Sequence, residues 1–167
     1  KLAIIGSMVA DLVDPGRPLE RERVAAEELV QLAVPLYAAL RPGGPPLGLD
    51  VPADLPLLWI DRVAILRVLA NLLTNAAVHN ADQADLHVRL RLRRQDAQIL
   101  LEVADNGRGI APEDQERVFE FGVRVDPEGR ARGSGLGLSS SRRLVAAHGG
   151  ALTVRSHVGQ GATFTLA

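Results

Sequence analysis

The sequence predicts an α/β domain, and three observations carry that prediction. Apolar residues recur at helical spacing over 22–40 and 62–79, whereas Leu86, Val88, Leu90 and Leu92 alternate with polar residues as a half-buried strand does. A third helical stretch, 136–148, stops at Gly149-Gly150 and gives way to a hairpin pattern at 151–157 and 162–167. At 167 residues, 47% hydrophobic and 23% charged, the chain has enough apolar surface for one core.

The elements follow in order. Residues 2–13, LAIIGSMVADLV, place Leu2, Ile5, Met8, Val9 and Leu12 on one helical stripe that ends at Asp14-Pro15-Gly16. So short a helix cannot bury its stripe alone, so 1–14 reads as the end of a helix from a preceding domain, or as a frayed helix docked on the core. Residues 15–167 then form the domain proper. Glu22 to Leu40 are helical in period, with a kink expected at Pro35. The breaker cluster RPGGPP at 41–46 precedes LGLDVPADLP, a short extended strand ending in a turn. Asp61 is placed to cap the helix 62–79. The strand at 86–93 is followed, across a turn at 94–97, by Ile99, Leu101 and Val103, and the strand pattern stops at Asp105. Pro112, Glu113 and Asp114 open a short helix through Phe119. Residues 120–133, EFGVRVDPEGRARG, lack any apolar period and read as a mobile lid.

Composition excludes several functions. The formal net charge of −1 provides no basic field, so no nucleic-acid partner is expected. Lys1 is the sole lysine among 19 basic residues, which removes the P-loop and the eukaryotic-type protein kinase, since each needs a lysine on the phosphates. The absence of cysteine excludes disulfides, thiolate metal sites and thiol nucleophiles. No apolar run approaches the roughly 18 residues of a spanning helix, and a cytoplasmic location is expected.

Four short segments carry the chemistry. Asn71 and Asn75 lie four apart on the face of the 62–79 helix that also holds Arg67 and His79. For two asparagines alone, a solvated stripe is the simpler reading; the alternative is a ligand face on which an amide oxygen meets Mg²⁺. Asp105-Asn106-Gly107-Arg108-Gly109-Ile110 follows a strand end, and could be an ordinary turn or a site where a carboxylate accepts from an exocyclic amino group. Gly133-Ser134-Gly135-Leu136-Gly137-Leu138 opens into a helix whose backbone N–H groups suit phosphate. A Rossmann turn is disfavoured there because no strand immediately precedes the glycines. Gly159-Gln160-Gly161-Ala162-Thr163-Phe164 alone would be a plain hairpin turn.

Taken in order, NLLTN, DNGRG, GSGLGL and GQGATF resemble the ATP-binding domain of sensor histidine kinases, in the superfamily that includes gyrase, Hsp90 and MutL. The resemblance covers roughly 21–167. It implies a two-layer α/β sandwich of the Bergerat type, with a mixed, mostly antiparallel sheet on one side and nucleotide-holding helices on the other. It implies ATP and Mg²⁺ as ligands, with the metal on Asn75 and with Asn71 lining the phosphate side. Asp105 would hold the adenine amino group, Gly107, Gly109 and Ile110 would shape the base pocket, and His79 would stand near the adenine. Gly133, Ser134, Gly135, Leu136, Gly137 and Leu138 would close on the phosphates, with Thr163 supporting the adenine end. Phe119 and Glu120 resemble the start of the family's phenylalanine box, and Arg124 its phosphate-facing arginine, the residue suited to stabilise charge on a transferring phosphoryl group.

The chain departs from the family pattern at Phe121-Gly122-Val123 in the lid, and at Val78, where the family usually has a lysine. Asn71 stands where the related ATP hydrolases carry a water-activating glutamate, and an amide is no general base, so hydrolysis is disfavoured. The four histidines are His79, His87, His148 and His157. None falls in the N-terminal stub, and the last three read as surface residues. The resemblance therefore implies a catalytic domain that donates the γ-phosphoryl group to a histidine on a dimerisation domain outside this chain, for relay to a response regulator. The fragment should be monomeric and its parent dimeric, with or without a membrane anchor. The rival readings are a nucleotide-sensing or docking module that has lost phosphotransfer, and a superfamily ATPase.

Overall fold

The computed structural model describes residues 18–123 and 135–167. The expected helix at 1–14 and most of the lid lie outside them. In chain order the described elements are β1 (Glu22–Val24), α1 (Ala26–Leu40), β2 (Gly48–Asp50), β3 (Leu58–Ile60), α2 (Arg62–His79), β4 (Val88–Gln95), β5 (Gln98–Asp105), α3 (Gly137–Ala147), β6 (Leu152–His157) and β7 (Gly161–Leu166). Five strands form one sheet in the order β2-β4-β5-β7-β6, with β2 parallel to β4 and every other pairing antiparallel. The three helices cover one face, so the expected two-layer sandwich with a mixed, mostly antiparallel sheet is what forms.

α2 is the central helix, packed between α1 and α3 and against β4 and β5. Val68, Leu69, Leu72 and Leu73 are essentially fully buried and meet Leu90 and Leu92 of β4, Val103 of β5 and Phe164 of β7 in one cluster. Each such leucine contributes about 2 kcal/mol by removal from water. The opposite face of the sheet is solvated, which explains why arginines alternate with the leucines of β4.

Asp61 caps α2 as expected: its Oδ1 accepts from Ala64 N–H at 3.0 Å, and its Oδ2 from Glu20 N–H at 3.0 Å. The Asp61 N–H in turn donates to His148 Nε2 at 3.1 Å, which leaves the ring proton on Nδ1 to donate to Leu144 O at 2.7 Å. His148 is therefore a half-buried link between the start of α2 and the end of α3, a correction to its reading as a surface residue.

Two further differences are local. Residues 22–24 are a strand rather than the first turn of a helix, because Ala25 is extended (φ −76°, ψ 145°) and its N–H donates to Glu28 Oε1, capping a helix that begins at Ala26. That strand pairs with β3 in a small antiparallel ribbon that no periodicity announced. The helix expected at 112–119 is two short 3-10 turns, 112–114 and 117–119. α1 runs on through Pro35.

Candidate functional site

Asn71 and Asn75 project from the middle of α2, both half-buried. Their surroundings differ. Asn71 Nδ2 donates to Ser141 Oγ of α3 at 2.9 Å, and the same amide lies against Gly137, where a Cβ would overlap it. Gly137 is thus the residue that lets the first turn of α3 approach α2. The Asn75 side chain makes no hydrogen bond among the described residues, so its amide oxygen is available to a ligand. Among the described residues, the first turn of α3 carries no side-chain cap and no acidic residue, so its positive dipole end suits an anion. Gly135 (φ +70°) precedes it, and its carbonyl accepts from Gly122 N–H at 3.2 Å, so the described start of the lid touches the described end of the glycine box.

The other end of the site is more tightly knit. Asp105 lies at the end of β5 on the helix-facing side, by alternation with Val103. Its Oδ1 accepts from Gly107 N–H at 2.8 Å. Burial pushes its carboxyl above the usual range, while N–H groups of Gly107 and Ala162 act in the opposite direction by stabilising the anion. Gly109 (φ +73°) turns the chain where a Cβ would overlap His157 O, and Gly161 (φ +89°) does so where one would overlap Asp105 O. Ile110 N–H donates to Ser156 Oγ at 2.7 Å, and Ser156 Oγ to Gly161 O at 2.6 Å, so the turn after β5 is tied to the β6–β7 hairpin. On the far wall, the buried Tyr37 hydroxyl of α1 finds no partner among the described residues; burial, and to a lesser degree the Asp105 charge, raise its pKa, against the opposing effect of Arg41.

The structure thus brings together Asn71, Asn75, Asp105, Gly107, Gly109, Ile110, Gly135, Leu136, Gly137 and Leu138 around the C-terminal half of α2. His79 is exposed at the end of that helix. Arg124, Gly133 and Ser134 lie outside the described residues. Thr163 is not brought to the site: its partners in register are Ala104 and Arg155, which places it on the solvated face of the sheet. Strand alternation gives the position beside Asp105 to Ala162 instead, and Ala162 is buried. Sequence reasoning also missed Ser141, and above all Asn80. Asn80 is buried at 5% exposure, donates to Ala76 O at 2.9 Å and accepts Arg108 N–H at 3.0 Å. An asparagine just past a helix end reads as a routine stop signal, and only the return of the 105–108 turn to this point shows its contacts.

Residues 60–167 match the family model described as histidine kinase-, DNA gyrase B-, and HSP90-like ATPase. The chain belongs to that family. Among its relatives are the alginate biosynthesis sensor protein KinB of Pseudomonas aeruginosa, 38% identical over 87% of this chain and 24% of KinB, and the sensor-like histidine kinase SenX3 of Mycobacterium tuberculosis (strain ATCC 25618 / H37Rv), 38% identical over 98% of this chain and 41% of SenX3. The chain spans less than half the length of these curated relatives. Its fold superposes on the mycobacterial sensor histidine kinase MprB with TM-score 0.74 at 27% identity, covering 88% of this chain and 95% of that one. Full-length ShkA in complex with AMPPNP gives TM-score 0.76 at 30% identity over 99% of this chain and 35% of ShkA.

The chain is a histidine kinase-like ATPase domain by its family model, and the relatives named above are sensor proteins and sensor kinases. All four sequence boxes fall within the matched residues, whereas α1, which supplies Tyr37 and Arg41, lies outside them. No helix among the described residues is long and apolar enough to cross a membrane.

Proposed function

We propose that the domain binds ATP along the C-terminal half of α2, with the adenine at the Asp105 end and the phosphates between Asn71, Asn75 and the start of α3, and that it transfers the γ-phosphoryl group to a histidine. The observation that carries this reading is the polarity of the site. One end presents a desolvated carboxylate braced by backbone N–H groups, suited to an amino group on a flat base; the other presents amides and an open helix N-terminus, suited to phosphate. ShkA, which shares this fold, is described in complex with AMPPNP, and that supports a nucleotide ligand here.

Mg²⁺ fits the residues present. Among the described residues there is no group of three or more His, Cys, Asp or Glu that could hold a metal. The amide oxygen of Asn75 is a hard donor without a protein partner among the described residues, and Mg²⁺ characteristically takes one or two protein ligands and completes its shell with substrate phosphates and water. When bound, the ion would neutralise charge on the phosphates. Asn71, held by Ser141, would orient the phosphate side, and Arg124 would face the transferring group.

The acceptor histidine and the general base would come from a dimerisation domain of the parent protein, and a response regulator would take the phosphoryl group onward. Among the described histidines, His148 holds the Asp61 N–H, His87 and His157 are exposed outside the helix that carries Asn71 and Asn75, and His79 ends that helix, where this reading gives it a place near the adenine. On this reading the domain would act in the cytoplasm, and the chain alone should be a monomer, which a size-exclusion mass would check.

The deciding experiment is thermal unfolding with ATP, with and without Mg²⁺, using GTP as control. Ligand at about 100 times Kd adds about 2.7 kcal/mol, a rise of roughly 5–11 °C for a chain of this size. An ATP-selective shift strengthened by Mg²⁺ is expected; no shift at millimolar ATP overturns the reading. Phosphorylation of an added histidine-bearing dimerisation domain then tests transfer.

A further inference from the structure

We propose that Asn80 is a positioning residue for base selection, holding the 105–108 turn so that the Asp105 carboxylate meets an exocyclic amino group. The inference rests on the nucleotide-binding reading above and adds to it the residue that sets which base is taken.

The geometry is that of a strut. Asn80 follows the last residue of α2, and its amide is used on both sides. Nδ2 donates to Ala76 O at 2.9 Å, anchoring the side chain to the last turn of the helix. Oδ1 accepts Arg108 N–H at 3.0 Å, anchoring the turn that follows β5. Nδ2 also lies 3.5 Å from Asp105 Oδ1, the oxygen that already accepts Gly107 N–H at 2.8 Å. Gly107 packs directly on the Asn80 amide, leaving no room for a Cβ there. One neutral side chain thereby fixes three consecutive features of the turn: the Asp105 oxygen that faces inward, the close approach at Gly107 and the direction of the Arg108 N–H.

The strut is itself braced. Arg41, at the end of α1, donates to Ala81 O at 3.2 Å and to Gln83 O at 2.9 Å, holding the segment after Asn80 against the first helix. Gln83 Nε2 donates to Asn106 O at 2.9 Å, a second tie from that segment to the same turn. Oδ1 of Asp105 is engaged by its own turn, which fixes the direction in which the carboxylate faces a ligand. A side chain in place of Asn80 that could not both donate and accept would leave either Ala76 O or Arg108 N–H unsatisfied and release the turn.

The chemistry that reads this arrangement is a comparison of ATP with inosine triphosphate, which carries an oxo group where adenine carries its amino group. Binding of each is measured by calorimetry to the whole chain, wild type, Asn80→Ala and Asn80→Asp, with the unfolding midpoint of each protein recorded without nucleotide. The aspartate keeps shape and acceptor but removes the donor and sets a second carboxylate beside Asp105. Wild type should prefer ATP by at least about tenfold, the value of one net hydrogen bond to a charged group. Both variants should lose most of that preference while their affinity for inosine triphosphate changes little. In Asn80→Asp the residual ATP preference should recover as pH is lowered, because two adjacent carboxylates share a proton.

An ATP preference unchanged in folded variants overturns the inference. So does failure of both variants to fold without nucleotide, which would assign Asn80 to the fold alone. Absence of binding by the wild type to either nucleotide would instead overturn the nucleotide-binding reading itself.

Discussion

The two ends of the site are built on the same helix but to different standards of closure. At the Asp105 end, backbone and side-chain polar groups are cross-bonded over a few residues: Asn80 to Arg108, Gly107 to Asp105, Ile110 to Ser156, Ser156 to Gly161, and Gly159 N–H to Arg108 O at 2.7 Å. At the Asn75 end, one hydrogen bond from Asn71 to Ser141 joins the helices, Asn75 is unpartnered among the described residues, and α3 starts uncapped. The first end is formed before any ligand arrives. The second leaves donors and an acceptor open, which is the arrangement expected where charge and metal must be accommodated together.

The comparison breaks most visibly at glycines of the closed end. Gly161→Ala forces a Cβ into Asp105 O at a φ of +89°. Strain and overlap together should cost about 3 kcal/mol, lowering the unfolding midpoint by roughly 6–12 °C. If a melting curve shows no such loss, the closed end is looser than described.

Asp105→Asn sharpens the contrast by separating binding from stability. ATP affinity in calorimetry should fall about 10- to 100-fold, the range for a hydrogen bond to a charged acceptor. Fold stability should not fall with it. Burial raises the Asp105 pKa above 3.8, so the native state holds its proton more tightly than the unfolded chain does. That contribution destabilises the fold as pH rises from 3.8 through the folded value, and it is relieved below 3.8. A pH series of melting curves should therefore show Asp105→Asn gaining relative to wild type above that window, and losing the gain below it.

At the open end the two asparagines should behave differently. Asn75→Ala should leave the unfolding midpoint nearly unchanged and remove the strengthening of ATP binding by Mg²⁺. Asn71→Ala or Ser141→Ala should cost about 0.5–1.5 kcal/mol, the net value of the hydrogen bond lost between α2 and α3. Equal melting losses for Asn71 and Asn75 would erase the distinction between them. The smallest effect belongs to exposed ion pairs: Arg117→Ala, which breaks the bond to Asp114 Oδ1 at 2.7 Å, should shift stability by about 0.5 kcal/mol or less.

Legibility followed the range of the interactions. The α2 span 62–79, its Asp61 cap, the β4–β5 alternation and the glycine stop after α3 are set by neighbours a few residues away, and these were readable. Elements held by distant partners were not. The β1–β3 ribbon pairs Glu22–Val24 with Leu58–Ile60, and three-residue strands have no period of their own. Thr163 and Ala162 show the same limit at the site: both belong to the GQGATF box, but the side each takes is set by the β5–β7 register. A shift of one residue would exchange them.

The class of fold and the order of the four boxes are legible in the residues alone, because hydrophobic period, caps and glycine positions act over one or two turns of chain. Composition also excluded lysine- and cysteine-dependent chemistry. Which of those residues share a site depends on packing between distant segments. Asn80 meets Arg108, 28 residues on, Asn71 meets Ser141, 70 residues on, and His148 meets Asp61 across 87, because burying the apolar face of α2 against the sheet and its neighbouring helices carries them there. The polar contacts follow from that packing, since a buried amide or carboxylate must find partners among whatever the core brings near it.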